Sequence, residues 1–129
     1  MALNVITTKQ AEYTYVPVAE RNEDTPFTVT FKPLSLTTRA RVKDSAITVK
    51  DGNGYEINVN KQNLEALRHG LIGWDNISDD KGPVKFRLVG GLADIECLEY
   101  LPTEYRTEIG NIILEVSDDP KNAQEILSA

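Results

Sequence analysis

The chain has 129 residues, 40% hydrophobic and 26% charged, with a formal net charge of −6 and a single cysteine. That length fits one domain, residues 1–129, with a core of its own. Cys97 alone excludes an intramolecular disulfide, and the longest apolar runs fall far short of the roughly 20 residues that span a bilayer. Residues 1–60 balance seven basic against seven acidic side chains, whereas residues 88–129 set only Arg106 and Lys121 against nine acidic ones. Such a surface repels phosphate backbones, which argues against nucleic-acid binding. Met1 to Ile6 lacks a basic segment followed by an apolar one, so no secretory signal and a cytoplasmic location are expected.

Residues 1–11 are polar and unpatterned and read as a flexible arm; residues 12–60 read as mainly β and 61–129 as mainly α. Tyr13-Thr14-Tyr15-Val16 is β-prone, and Pro17 marks an edge strand or a strand end. A charged loop, Ala19 to Pro26, leads to Phe27-Thr28-Val29-Thr30-Phe31, whose alternation predicts a half-buried strand with Phe27, Val29 and Phe31 inward. Pro33 ends it, and Ser35 is placed to cap a short helix from Leu36 to Lys43, with Leu36, Ala40 and Val42 inward. Ile47 to Val49 and Tyr55 to Val59 alternate around Asp51-Gly52-Asn53-Gly54, the turn chemistry of a β-hairpin.

The hairpin feeds a central helix from Asn60 to about Gly73, with Leu64, Leu67, Leu71 and Trp74 on one stripe. Asp79 to Pro83 is a turn, and Val84-Lys85-Phe86 alternates as a short strand. Gly90-Gly91 marks a hinge or a close backbone approach. Leu92, Ile95 and Leu98 then follow at helical spacing up to Leu101-Pro102. Thr103 is placed to cap a helix from Glu104 to Val116, whose stripe is Tyr105, Ile109, Ile112, Ile113 and Val116. Asp118-Asp119-Pro120 starts a short tail helix to Leu127. Strands first and helices last predict an α+β domain, an N-terminal antiparallel sheet and hairpin packed with a C-terminal helical half.

The residues offer little chemistry. His69 and Cys97 are each the only residue of their kind, which is too few for a Cys/His metal site. His69 lies off the apolar stripe and reads as solvated; Cys97 lies in an apolar pattern beside Glu96 and Glu99, which disfavours a thiolate. The acidic turns starting at Asp51 and Asp75 fail the calcium-loop pattern at its third, fifth or sixth position, and the glycines match no phosphate loop or dinucleotide fingerprint. No nucleophile–histidine–carboxylate set can be built. No enzyme, metal or cofactor is expected.

Three segments nevertheless make a recognisable set: Tyr15-Val16-Pro17 with Glu20-Arg21, Pro26-Phe27-Thr28 and Phe31-Lys32-Pro33-Leu34-Ser35; Leu67-Arg68-His69-Gly70-Leu71-Ile72-Gly73-Trp74-Asp75-Asn76 with Lys81-Gly82 and Val84-Lys85-Phe86; and Leu101-Pro102 with Tyr105, Glu108-Ile109 and Lys121-Asn122. Together they resemble the small tail assembly chaperones of long-tailed bacteriophages. The resemblance implies a non-enzymatic protein of the host cytoplasm. Such a protein binds the tape measure protein, helps recruit tail tube protein, and self-associates weakly. A groove between the central helix and the 104–116 helix, near Trp74, Tyr105 and Ile109, is the candidate client site, although a core would use these same residues and core is the favoured role of each. Tyr100, opposite the apolar stripe, is a further surface candidate. Two other readings are a structural component of the virion tail, such as a completion or adaptor protein, and a phage modulator of a host protein.

Overall fold

A computed structural model describes residues 11–50, 52 and 54–129. The arm expected over residues 1–11 lies outside these except for Ala11, and Asp51 and Asn53 of the hairpin turn lie outside them too. The fold is α+β, with strands mainly in the N-terminal part and helices in the C-terminal part.

The sheet at its centre has the order β1-β2-β5, from β1 (Tyr13–Tyr15), β2 (Thr28–Phe31) and β5 (Leu71–Asp75), and both pairings are antiparallel. The alternation in β2 is realised: Phe27, Val29 and Phe31 are buried, while Thr28 and Thr30 are partly exposed. β1 is the edge strand that Pro17 signals, and a 3-10 turn at Val18–Glu20 follows it. Helix α1 (Leu36–Ser45) starts where Ser35 accepts a hydrogen bond from the Thr38 amide at 3.2 Å. The hairpin is β3 (Ile47–Val49) with β4 (Tyr55–Ile57), and helix α2 (Val59–Gly70) follows it.

The expected inward face of α1 needs correction. Leu36 is 73% exposed and Ala40 is exposed, while Val42 and Ala46 are buried. The helix turns Arg39, Val42, Lys43 and Ala46 toward the protein because the C-terminal end of α4 (Thr103–Asp118) lies there. Arg39 donates to the Ser117 carbonyl at 2.6 Å, and both Arg39 and Lys43 pair with Asp118. Cations are favoured at a helix C-terminus, where carbonyls lack intrahelical partners.

The central helix also ends earlier than its stripe predicts. α2 stops at Gly70, and Leu71 to Asp75 is strand β5, paired to β2 as Phe31↔Leu71, Thr30↔Gly73, Val29↔Trp74 and Thr28↔Asp75. Ile72 has no partner opposite it, so β5 carries a bulge. The extra residue puts Leu71 and Trp74 on the same buried face although they are three apart, and thus imitates helical spacing. The last α2 carbonyl, Gly70, accepts from the Lys32 amide at 2.8 Å.

Beyond β5 the chain forms two minimal ladders, β6 (Ser78–Asp79) with β7 (Gly82–Pro83), and β8 (Leu88–Val89) with β9 (Leu92–Ala93). Val84–Phe86 is not a strand. Its Val84 carbonyl instead accepts from Trp74 Nε1 at 2.9 Å, and Phe86 meets the indole edge-on at 5.2 Å. Gly90 and Gly91 (φ 61° and 82°) form the two-residue turn of β8–β9, since tight hairpins need positive φ at both positions. Only Ile95–Leu98 of the following segment is helical (α3), and Asp94 caps it through the Glu96 amide. Pro102, not Thr103, occupies the N-cap of α4, and it has no side chain to offer the free amides. A 3-10 turn, Pro120–Asn122, leads into the tail helix α5 (Ala123–Ser128).

α2 and α4 lie against each other and against the sheet, and together they enclose the core of Val29, Phe31, Leu67, Leu71, Leu98, Ile109, Ile113 and Val116. Two glycines let them approach. A Cβ on Gly110 would lie 2.7 Å from Asn63 Cβ, and one on Gly70 would lie 2.8 Å from Ile113 Cγ2. The pairs 63/110 and 70/113 advance in the same sense, by seven residues on α2 and three on α4, so the two helices cross with their N-terminal turns toward one side.

Candidate functional site

The residues expected to line a client groove are distributed differently. Ile109 has no exposed surface and Trp74 is buried. Tyr105 is half-buried and stacks on Phe27 at 6.1 Å, and Phe27 in turn meets Trp74 at 6.1 Å. Trp74 and Tyr105 are therefore joined through Phe27 in one aromatic chain, and Ile109 belongs to the same core. Glu20 fastens the outer end of the chain: its carboxylate accepts from the Phe27 amide at 3.1 Å and from the Tyr105 hydroxyl at 2.8 Å. These two bonds hold the Glu20 carboxyl below its ordinary range, and the Tyr105 hydroxyl is pushed up by the same carboxylate and by burial. Tyr100 is 51% exposed and stands apart, beside Arg87, Glu96 and Glu99.

Cys97 is buried, with its thiol 3.6 Å from the Lys85 carbonyl. His69 is exposed, 3.7 Å from Glu65. Among the described residues no group of three or more His, Cys, Asp or Glu is arranged to hold a metal ion, and no helix is long and apolar enough to cross a membrane.

Two surfaces stand out. The first is the β3–β4 hairpin. Residues directly opposite in an antiparallel pair share a face, so Ile47↔Ile57 and Val49↔Tyr55 place four apolar side chains on one side. All four are exposed, Val49 by 73% and Tyr55 by 76%. The other side carries Thr48 and Glu56, and Lys50 pairs with Glu56 at 3.5 Å. Alternation in the sequence predicts this apolar face; that no other element among the described residues covers it can be seen only in the fold.

The second is a groove of about 410 Å³ at the end where α2 and α4 begin, lined by Asn58, Lys61, Asn63, Leu64, Thr103 and Arg106 among others. Asn58 caps α2 by accepting from the Lys61 amide at 3.0 Å. Arg106 donates to the Thr103 hydroxyl at 3.1 Å. Among the described residues neither Lys61 nor Arg106 forms an ion pair, as is also true of Lys32, Arg41, Lys81, Lys85 and Lys121. Sequence reasoning missed this groove, because residues of separate helices meet in it and no single segment carries its pattern.

Comparison with known proteins finds no matching family model, no matching curated protein and no matching solved structure.

Proposed function

We propose that this chain is a non-enzymatic protein-binding domain, a tail assembly chaperone that holds the phage tape measure protein and helps recruit tail tube subunits in the host cytoplasm. The motif resemblance supplies the identity of the client, and the uncovered apolar face of the β3–β4 hairpin supplies the surface. A two-stranded hairpin is at best marginally stable alone, and a contiguous exposed apolar patch is characteristic of an interaction site. The apolar residues of each strand are two apart, which at about 3.4 Å per residue separates them by about 7 Å. That is close to the roughly 6 Å between positions i and i+4 of a helix, a spacing at which a client helix presents apolar anchors. The expected site moves accordingly, from the α2–α4 seam to Ile47, Val49, Tyr55 and Ile57.

The test is a pull-down of tagged protein from phage-infected cells, with purified virions analysed in parallel. Wild type is expected to recover the tape measure protein. A Val49→Asp/Tyr55→Asp variant, altered only at exposed positions, is expected to lose it, and virions are expected to lack the chain. Its presence in virions would replace this reading with that of a structural tail component. A host enzyme as sole partner would sink both.

A further inference from the structure

We infer that the groove between the N-terminal turns of α2 and α4 is an oxyanion site, taking a phosphate or carboxylate group. This inference is independent of the chaperone reading and uses a different surface.

Four observations converge on the groove. The first is dipolar. The first turns of α2 and α4 line the same groove, so the partial positive charges of both N-termini, about half a charge each, sit together. Like ends repel, and an anion between them relieves that repulsion and accepts from free first-turn amides. The second is the cap: Pro102 provides α4 with no side-chain acceptor. The first-turn amides of Thr103, Glu104 and Tyr105 accordingly have no protein partner among the described residues. The third is charge. In a chain of net charge −6, Lys61 and Arg106 both line this groove without a carboxylate partner. Glu104, on the same turn, does not line it. The fourth is Asn63 at the base of the groove, 3% exposed, with neither its Nδ2 nor its Oδ1 hydrogen-bonded. Burying such an amide without a partner costs about 1–3 kcal/mol, and it lies at the close approach of α2 and α4, where a Cβ on Gly110 would come within 3.0 Å of its Cβ and Cγ. Less than 1 Å² of Nδ2 is accessible, so a bound oxyanion would provide the acceptor it lacks once the side chain turns toward the groove. The Thr103 and Thr107 hydroxyls add donors of the kind that bind phosphate and carboxylate oxygens.

The experiment is an amide NMR titration of the full chain with inorganic phosphate, repeated with acetate, against sodium chloride at matched ionic strength. Saturable shifts are expected at Val59, Asn60, Thr103, Glu104 and the Asn63 side-chain amide, with chloride leaving them in place. Tighter phosphate binding assigns the site to phosphate-bearing ligands, and tighter acetate binding to carboxylates. A Lys61→Gln/Arg106→Gln variant is expected to bind roughly tenfold more weakly, since hydrogen bonds from charged donors are the strong ones. A dispersed spectrum will show that the variant is folded, as Lys61 is exposed and Arg106 only half-buried. Shifts that never saturate, that chloride reproduces, or that the double variant retains at full affinity overturn the assignment.

Discussion

Tyr15, on the edge strand, donates its hydroxyl to Glu108 Oε2 of α4 at 2.5 Å, and the Val18 amide donates to the same oxygen at 2.9 Å. One carboxylate thus fastens β1 and the turn after it to a helix 93 positions away. Burial, followed by the Glu108 carboxylate, pushes the Tyr15 hydroxyl up to about 12 from its ordinary 10.0. A raised folded value means that this contribution is complete below about pH 10 and is lost as pH rises through about 12. Tyr15→Phe should cost about 1–2 kcal/mol near neutrality. Its denaturant midpoint should also show a smaller alkaline decline than that of the wild type, in which two of the five tyrosines, Tyr15 and Tyr105, should form phenolate later than the rest. If all five ionise together, the link is not made in solution.

Glu20 gives the opposite limb. Its carboxyl is lowered by the Phe27 amide and by the Tyr105 hydroxyl. Its contribution is therefore present above the ordinary value of 4.5 and lost as pH falls through the lower folded value. Glu20→Gln should be less stable than wild type at neutral pH, and the gap should close on acidification below that ordinary value. Urea unfolding of both proteins across the acid range measures it, and a gap independent of pH would remove the carboxylate from the account.

The glycines make a pair of opposite predictions. Gly110→Ala must push a methyl into the Cα, Cβ and Cγ of Asn63, all within 3.0 Å and two of them fixed to the α2 backbone. Alanine favours a helix by about 1 kcal/mol, but overpacking a seam of this kind costs about 1–3 kcal/mol, so net destabilisation is expected. Gly73 has nothing within 4 Å of a would-be Cβ, and Gly73→Ala should be neutral or stabilising by up to about 1 kcal/mol. Thermal midpoints of the two variants should move apart; a shared shift in one direction contradicts the close approach of α2 and α4.

Local alternation and turn chemistry were legible wherever a single segment decides the outcome. Phe27 to Phe31, the hairpin from Ile47 to Ile57 and the stripe from Tyr105 to Val116 all read correctly for that reason. Errors came where a distant element decides. The bulge at Ile72 gives Leu71 and Trp74 a helical step within a strand, and only pairing with β2 exposes the difference. Leu36 reads as inward until Arg39 and Lys43 are seen to take that face to reach Asp118. Leu92 reads as helical because Gly90-Gly91 does not announce which strands it joins. Trp74 and Ile109, named for a client groove, are large apolar residues of the sort a core also requires, and sequence pattern does not separate the two uses. The oxyanion groove needs two helix starts brought side by side, which is a property of topology.

The Trp74 indole tests the segment between β7 and β8 most directly. Its Nε1 donates to the Val84 carbonyl while the Val84 amide donates to the Ile77 carbonyl at 2.9 Å, so residue 84 is held on both sides. Trp74→Phe keeps a ring against Phe27 and Phe86 but removes the donor, leaving a part-buried carbonyl unpaired at a cost of about 1–3 kcal/mol. The loss should be local before it is global. Native-state hydrogen exchange should speed up at the Val84 amide by more than the drop in global stability accounts for. The Val29 amide, in the central strand, should follow global unfolding alone, as amides of core strands do. Equal acceleration at both amides would mean that Trp74 acts only as core volume, and that the indole bond does not hold the Val84–Phe86 segment in place.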